Sequence, residues 1–138
     1  RIVACVDGSS DSELILPWAA EWARALAKSL TVLTVIDDVP EAPRAKSSPI
    51  PDRTTEGAWD YVDGLARRWR EVVPRTHGLV LRDPIGAASA IRSHLAEHPT
   101  ALVALSAPHR SGLQRLRRGA TADDIIRNAA ARCRVVPR

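Results

Sequence analysis

A chain of 138 residues is long enough to bury a hydrophobic core without staples and short enough that a single domain over 1–138 is expected. The apolar fraction of 45% is built from Ala, Leu, Val, Ile and Trp with no Phe or Met, which excludes disorder along the whole chain and predicts aliphatic packing around a few indoles. The net charge of +4 is carried almost wholly by arginine in a chain also rich in Ala and Pro, so it reads as a GC-rich genome before it reads as nucleic-acid binding; two cysteines exclude a disulfide framework, and no apolar stretch is long enough to span a bilayer.

Ile2 to Val6 (IVACV) is a short, continuous apolar run rich in β-branched residues and closed by Asp-Gly, the pattern of a strand buried on both faces. Ser10 stands three residues before Glu13 as a capping box, and Leu14, Trp18, Trp22 and Leu26 then recur at helical spacing, predicting a first helix to about Lys28. Leu30 to Ile36 (LTVLTVI) is the second strand. The loop from Asp37 to Arg53, with Pro40, Pro43, Pro49 and Pro51, is long for a compact domain and has the length of a lid. Trp59, Val62, Leu65 or Ala66, Trp69 and Val73 repeat at the 3.6 period and predict a second helix ended by Pro74.

Gly78 to Leu81 carries the third strand. Asp83-Pro84 suits the start of a third helix whose buried stripe is Ile85, Ala88, Ile91 and Leu95. Ala101 to Leu105 (ALVAL) is a further apolar strand. Thr121 stands three residues before Asp124, a second capping box, and opens a fourth helix carrying Ile125, Ile126, Ala129 and Ala130. Arg134 to Val136 closes the pattern as a fifth strand. Strict alternation of apolar strands with helices argues a parallel α/β sheet covered on both faces. The opening at Arg1 without Met, directly before a strand, fits a domain excised from a longer chain. Reduced thiols and the absence of a signal peptide make a cytosolic protein the expectation.

In such a sheet, ligands collect beyond the carboxyl ends of the strands where the strand order reverses. Two loops can meet there: VDGSS at 6–10, and SAPHRSGLQRLRRGAT at 106–121, which leads into a helix start. A helix N-terminus offers unpaired N–H groups and partial positive charge to a phosphate, and Gly119 lies just ahead of it. Asp7 repels phosphate but can accept from a ribose hydroxyl or a base amine; equally, Asp7-Gly8 can be only a turn that caps the next helix.

At these residues the sequence resembles the universal stress protein family: IVACVDGSSDSELIL, LTVLTVID, DPIGAASAI, RSGLQRLRRGA and DDIIRNAAARCRVV follow one another in the family's order over nearly the whole chain. The resemblance implies an open five-stranded parallel sheet in the order 3-2-1-4-5 with helices on both faces. It also implies a homodimer through the last strand, with Val135 and Val136 at that edge, and, in one branch, ATP held by a Gly-x-x-Gly motif, a spacer and Gly-Ser/Thr. Carried over by position, Asp7 matches the acidic residue after strand one and Val35 the strand-two position whose main chain meets adenine. The phosphate side departs. With residues 110–118 as spacer, Ser106 and His109 stand where the motif has glycines, Ala120 replaces the hydroxyl residue, Thr121 comes one place late, and only Gly119 remains. Arg82 also stands where the family often has glycine.

Side chains at a tight phosphate turn forbid positive φ and hold the main chain away from the anion. Losing two charged hydrogen bonds costs about 3 to 6 kcal/mol, on the order of a hundredfold to ten-thousandfold in affinity. Arg110, Arg115, Arg117 and Arg118 add attraction, but attraction does not reopen a blocked turn. The plainer readings are an exposed His109, arginines on a solvated loop without the interleaved aromatics of a nucleic-acid surface, and Trp18 and Trp22 in core or subunit packing. No Cys or His pair has zinc spacing, and neither a Gly-x-Ser-x-Gly elbow nor a P-loop is present. The sequence therefore predicts a non-catalytic domain acting in stress response or regulation, with no resident metal, no direct membrane insertion and a degraded nucleotide pocket that takes ATP weakly or not at all. A working ATP or adenine-nucleotide sensor, with residues 37–53 as its lid, is the alternative.

Overall fold

The computed structural model describes residues 1–37, 55–107, 125, 127 and 132–137. β1 (Ile2–Cys5) leads through α1 (Ser10–Glu13) and α2 (Ile15–Ala25) to β2 (Leu30–Asp37); α3 (Thr55–Arg70), β3 (Thr76–Asp83), α4 (Ala87–Glu97), β4 (Leu102–Ala107) and β5 (Arg132–Pro137) follow. The strands form one parallel sheet in the order β3-β2-β1-β4-β5. Register fixes the levels: Ile2 lies between Leu30 on β2 and Leu102 on β4, and Ala4 between Val32 and Ala104.

Alternate residues of the strands supply two cores, one on each face of the sheet. On one, Ile2, Ala4, Val6 and Val32 pack under Ile15, Leu16 and Ala19 of α2 and Val62 and Leu65 of α3. On the other, Val3, Leu33, Val103 and Leu105 meet Ile91 and Leu95 of α4 together with Ile125. Helices therefore cover both faces, the arrangement the unbroken apolar strands demand.

Several local expectations are corrected. The N-cap of the first helix is Ser9 rather than Ser10: its Oγ accepts from the Ser12 N–H at 3.1 Å. That helix is not continuous, because Pro17 has no N–H for the Glu13 carbonyl and its ring crowds that carbonyl, so the chain breaks at Leu14. Of the spaced residues Leu14, Trp18, Trp22 and Leu26, only Trp22 packs against the core. Leu14, Trp18 and Leu26 are about half exposed, and Ile15, Leu16, Ala19, Ala20 and Ala23 face the sheet. A four-residue spacing drifts by about 40° per step around a helix, and the small alanines let α2 approach the strands closely.

The second helix starts before Trp59, at Thr55, and the third strand extends beyond Gly78–Leu81 on both sides. Ile85 is 79% exposed rather than part of the α4 stripe, because α4 begins only at Ala87 with Gly86 as N-cap. Asp83 turns the chain into it: one carboxylate oxygen accepts from the N–H groups of Ile85 at 2.7 Å and Gly86 at 3.2 Å. The fifth strand runs from Arg132 rather than Arg134. The proline loop and the second capping box, Thr121 with Asp124, lie outside the described residues. No helix among the described residues is long and apolar enough to cross a membrane.

Candidate functional site

The site grows from the end of β1. Val6 N–H still donates to the Leu33 carbonyl at 2.8 Å, so Asp7 is the first residue to leave the sheet. Gly8 follows at φ 85, in the left-handed region where a side chain would be strained. That bend folds residues 7–12 into a closed hydrogen-bond circuit. The Ser9 N–H and hydroxyl both donate to Asp7 Oδ1, at 3.0 and 2.6 Å. Ser12 N–H donates to Ser9 Oγ at 3.1 Å, the Ser12 hydroxyl donates to the Ser9 carbonyl at 2.8 Å, and the Asp7 N–H donates to Ser12 Oγ at 3.1 Å.

The polarity of this circuit decides what it can bind. The hydroxyl protons of Ser9 and Ser12 are both spent inside the loop, and the nearby Tyr61 hydroxyl donates to Glu13 Oε1 at 3.0 Å. The exposed side chain of the circuit is the Asp7 carboxylate, which only accepts. A partner here must therefore bring donors, such as the hydroxyls of a sugar or the amine of a base, and a phosphate is disfavoured. Burial first, and then the Glu13 and Asp7 carboxylates, push the Tyr61 phenol well above the usual tyrosine range. Its proton stays on throughout the physiological range.

Three of the residues singled out in the sequence fall on this edge. Continuing the register two positions past Cys5–Leu33 and Ala4–Ala104 sets Val35 level with Asp7 and Ser106 level with Val6, on the two strands that flank β1. This is where the strand order reverses, since β2 lies on one side of β1 and β4 on the other. Val35 packs partly against the core of the α4 face, and Ser106 is half-buried, level with position 136 of β5. His109, Gly119, Ala120 and Thr121 lie outside the described residues. Arg82 reaches across the same edge from β3 and donates to Thr55 Oγ1 at the start of α3, at 2.9 Å. Asp83 beside it is held below the usual carboxylate range by the Ile85 N–H first, then by Gly86, Ser89 and Arg92.

Ser9, Ser12 and Tyr61 are not singled out by the sequence, and Glu13 enters there only as half of a capping box with Ser10. Ser9 and Ser12 have a local signal, a hydroxyl pair three apart just after Asp-Gly. Tyr61 has none, because it is 48 residues from Glu13 along the chain and only the packing of α3 beside α1 joins them. Among the described residues, no group of three or more His, Cys, Asp or Glu is placed to hold a metal.

A model of the universal stress protein family matches residues 1–137. No curated protein matches the chain. Solved structures do. Universal stress protein UspA from Lactobacillus plantarum is 21% identical with a TM-score of 0.73, over 98% of this chain and 95% of that one. The universal stress protein from Archaeoglobus fulgidus in complex with dAMP is 20% identical with a TM-score of 0.65, over 98% and 95%. A universal stress protein in complex with cAMP is 15% identical with a TM-score of 0.70, over 98% and 94%.

Proposed function

The chain belongs to the universal stress protein family, and on that premise we propose that it is a non-catalytic regulatory domain, acting in the stress response, whose nucleotide pocket keeps its nucleoside end and has lost most of its hold on phosphate. The observation that carries this reading is the outward polarity of the β1 loop. Its hydroxyl protons are turned inward, and the exposed Asp7 side chain is an acceptor, suited to a ribose hydroxyl or an adenine amine rather than to phosphate. On the phosphate side, Ser106 and His109 occupy positions where the family's ATP motif has glycine, and Ala120 occupies that of its hydroxyl residue. Adenosine contacts at Asp7 and Val35 then survive, and ATP binds weakly or not at all.

Two similar structures hold cAMP and dAMP, and this favours a second reading, a working adenine-nucleotide sensor of the same family. Both readings take the domain to be a cytoplasmic homodimer, paired through Val135 and Val136 on β5, which ends the strand order.

Asp7→Asn tests the nucleoside end, because asparagine keeps the Oδ1 that closes the turn and replaces the other oxygen by a donor. Adenosine affinity, read by calorimetric titration, should fall about tenfold for the loss of one charged hydrogen bond. An affinity unchanged in D7N, or a wild type that takes up no adenosine at millimolar concentration, contradicts the reading.

A further inference from the structure

The Tyr61 hydroxyl ties the β1 loop to α3. It donates to Glu13 Oε1 at 3.0 Å, and Glu13 is the last residue of α1. The Glu13 N–H donates in turn to the Ser9 carbonyl at 3.2 Å, and Ser9 closes on Asp7 Oδ1, so the bond reaches the segment that begins at the Asp7-Gly8 turn. Gly8 is the residue at φ 85 that turns the chain out of the sheet, directly after Asp7. Tyr61 itself is anchored: α3 packs on β2 and β3, and the Tyr61 ring lies against the core that holds Val62, Leu65 and Ile2.

We propose that Tyr61 is a positioning residue that sets the conformation of the Asp7-Gly8 turn from α3, so that the aim of the Asp7 carboxylate toward a nucleoside depends on where α3 sits. The ligand half of this rests on the nucleoside reading above; the positioning half does not. The Asp7–Ser9–Ser12 circuit is local and ties the loop only to itself. The Tyr61–Glu13 hydrogen bond refers that loop to α3, and through α3 to the sheet. A phenylalanine fills the same space and cannot make that bond.

The chain has one tyrosine, so phenolate absorbance reads Tyr61 alone. In the wild type the phenol should stay protonated past the ordinary value of about 10, and in Glu13→Gln, which removes the charge and keeps an acceptor, its ionisation should move back toward that value. Tyr61→Phe should raise the hydrogen exchange rate of the Gly8 amide in the unliganded protein and weaken 5′-AMP binding about tenfold. E13Q should lose less AMP affinity than Y61F, a split that a general loss of stability, followed through the thermal midpoint, would not produce. A wild type that binds no AMP overturns the nucleoside reading and the ligand half of the proposal with it. Gly8 exchange that is the same in Y61F and wild type overturns the positioning itself, whether or not AMP binds.

Discussion

His94 is 9% exposed, and its Nε2 has no hydrogen-bond partner among the described residues. Its ring stacks on His98 with centroids 4.4 Å apart, and His98 Nδ1–H donates back to the His94 carbonyl at 2.8 Å. Burial, then the positive neighbours His98 and Arg1, lower the His94 pKa, with Glu97 opposing. An unfolded histidine takes up its proton near pH 6.5, and the native one does so only at lower pH. The unfolded state therefore binds more protons in the window between the two values. Stability falls as pH drops through that window and levels off below the native pKa. His94→Leu should flatten this dependence: urea unfolding on either side of pH 6.5 should show the wild type losing stability relative to the variant on the acid side. Parallel wild-type and variant curves would contradict it. Burial of this kind follows from helical periodicity, which places position 94 three residues after Ile91, but an orphaned ring nitrogen is visible only in three dimensions.

At the scale of elements, the strands were the legible part and the ends and faces of the helices were not. The apolar run IVAC and the β-branched LTVLTVI, in which only threonines interrupt the aliphatic residues, both read as strands between two helical layers. Large residues misled around α2, where Leu14 and Trp18 stand out in the sequence but Ile15, Leu16 and the alanines at 19, 20 and 23 do the burying. The end of that helix shows why termini resist prediction. Ala27 sits at φ 51, with its N–H donating to Arg24 O at 3.1 Å and the Lys28 N–H to Ala23 O at 2.8 Å. These are the two bonds of a Schellman motif, with alanine where glycine is preferred. Ala27→Gly should relieve the left-handed strain and stabilise the protein by about 1 kcal/mol in denaturant unfolding. A destabilised A27G would mean that the alanine side chain makes up the strain through packing.

At the scale of the whole molecule, the strand order brings Asp7, just past the end of β1, beside Val35 on β2 and Ser106 on β4 along one edge of the sheet. That convergence was legible once the parallel alternation was recognised, because the reversal point of such a sheet is fixed by topology. The proposed phosphate side rests on the sequence alone, at Ser106, His109, Gly119, Ala120 and Thr121, of which Ser106 lies among the described residues. For the assembly, light scattering of the purified chain should give twice the 15.0 kDa chain mass if copies pair through β5, and a strict monomer would contradict pairing. The central claim is a separation within one pocket, whose nucleoside end still binds and whose phosphate end no longer grips. Calorimetric titration of the same protein with adenosine, AMP and ATP, with and without Mg²⁺, measures it directly. The account predicts that ATP binds no more than about tenfold more tightly than adenosine, because little main chain is left to meet the added oxygens. An ATP affinity a hundredfold or more above that of adenosine would contradict it.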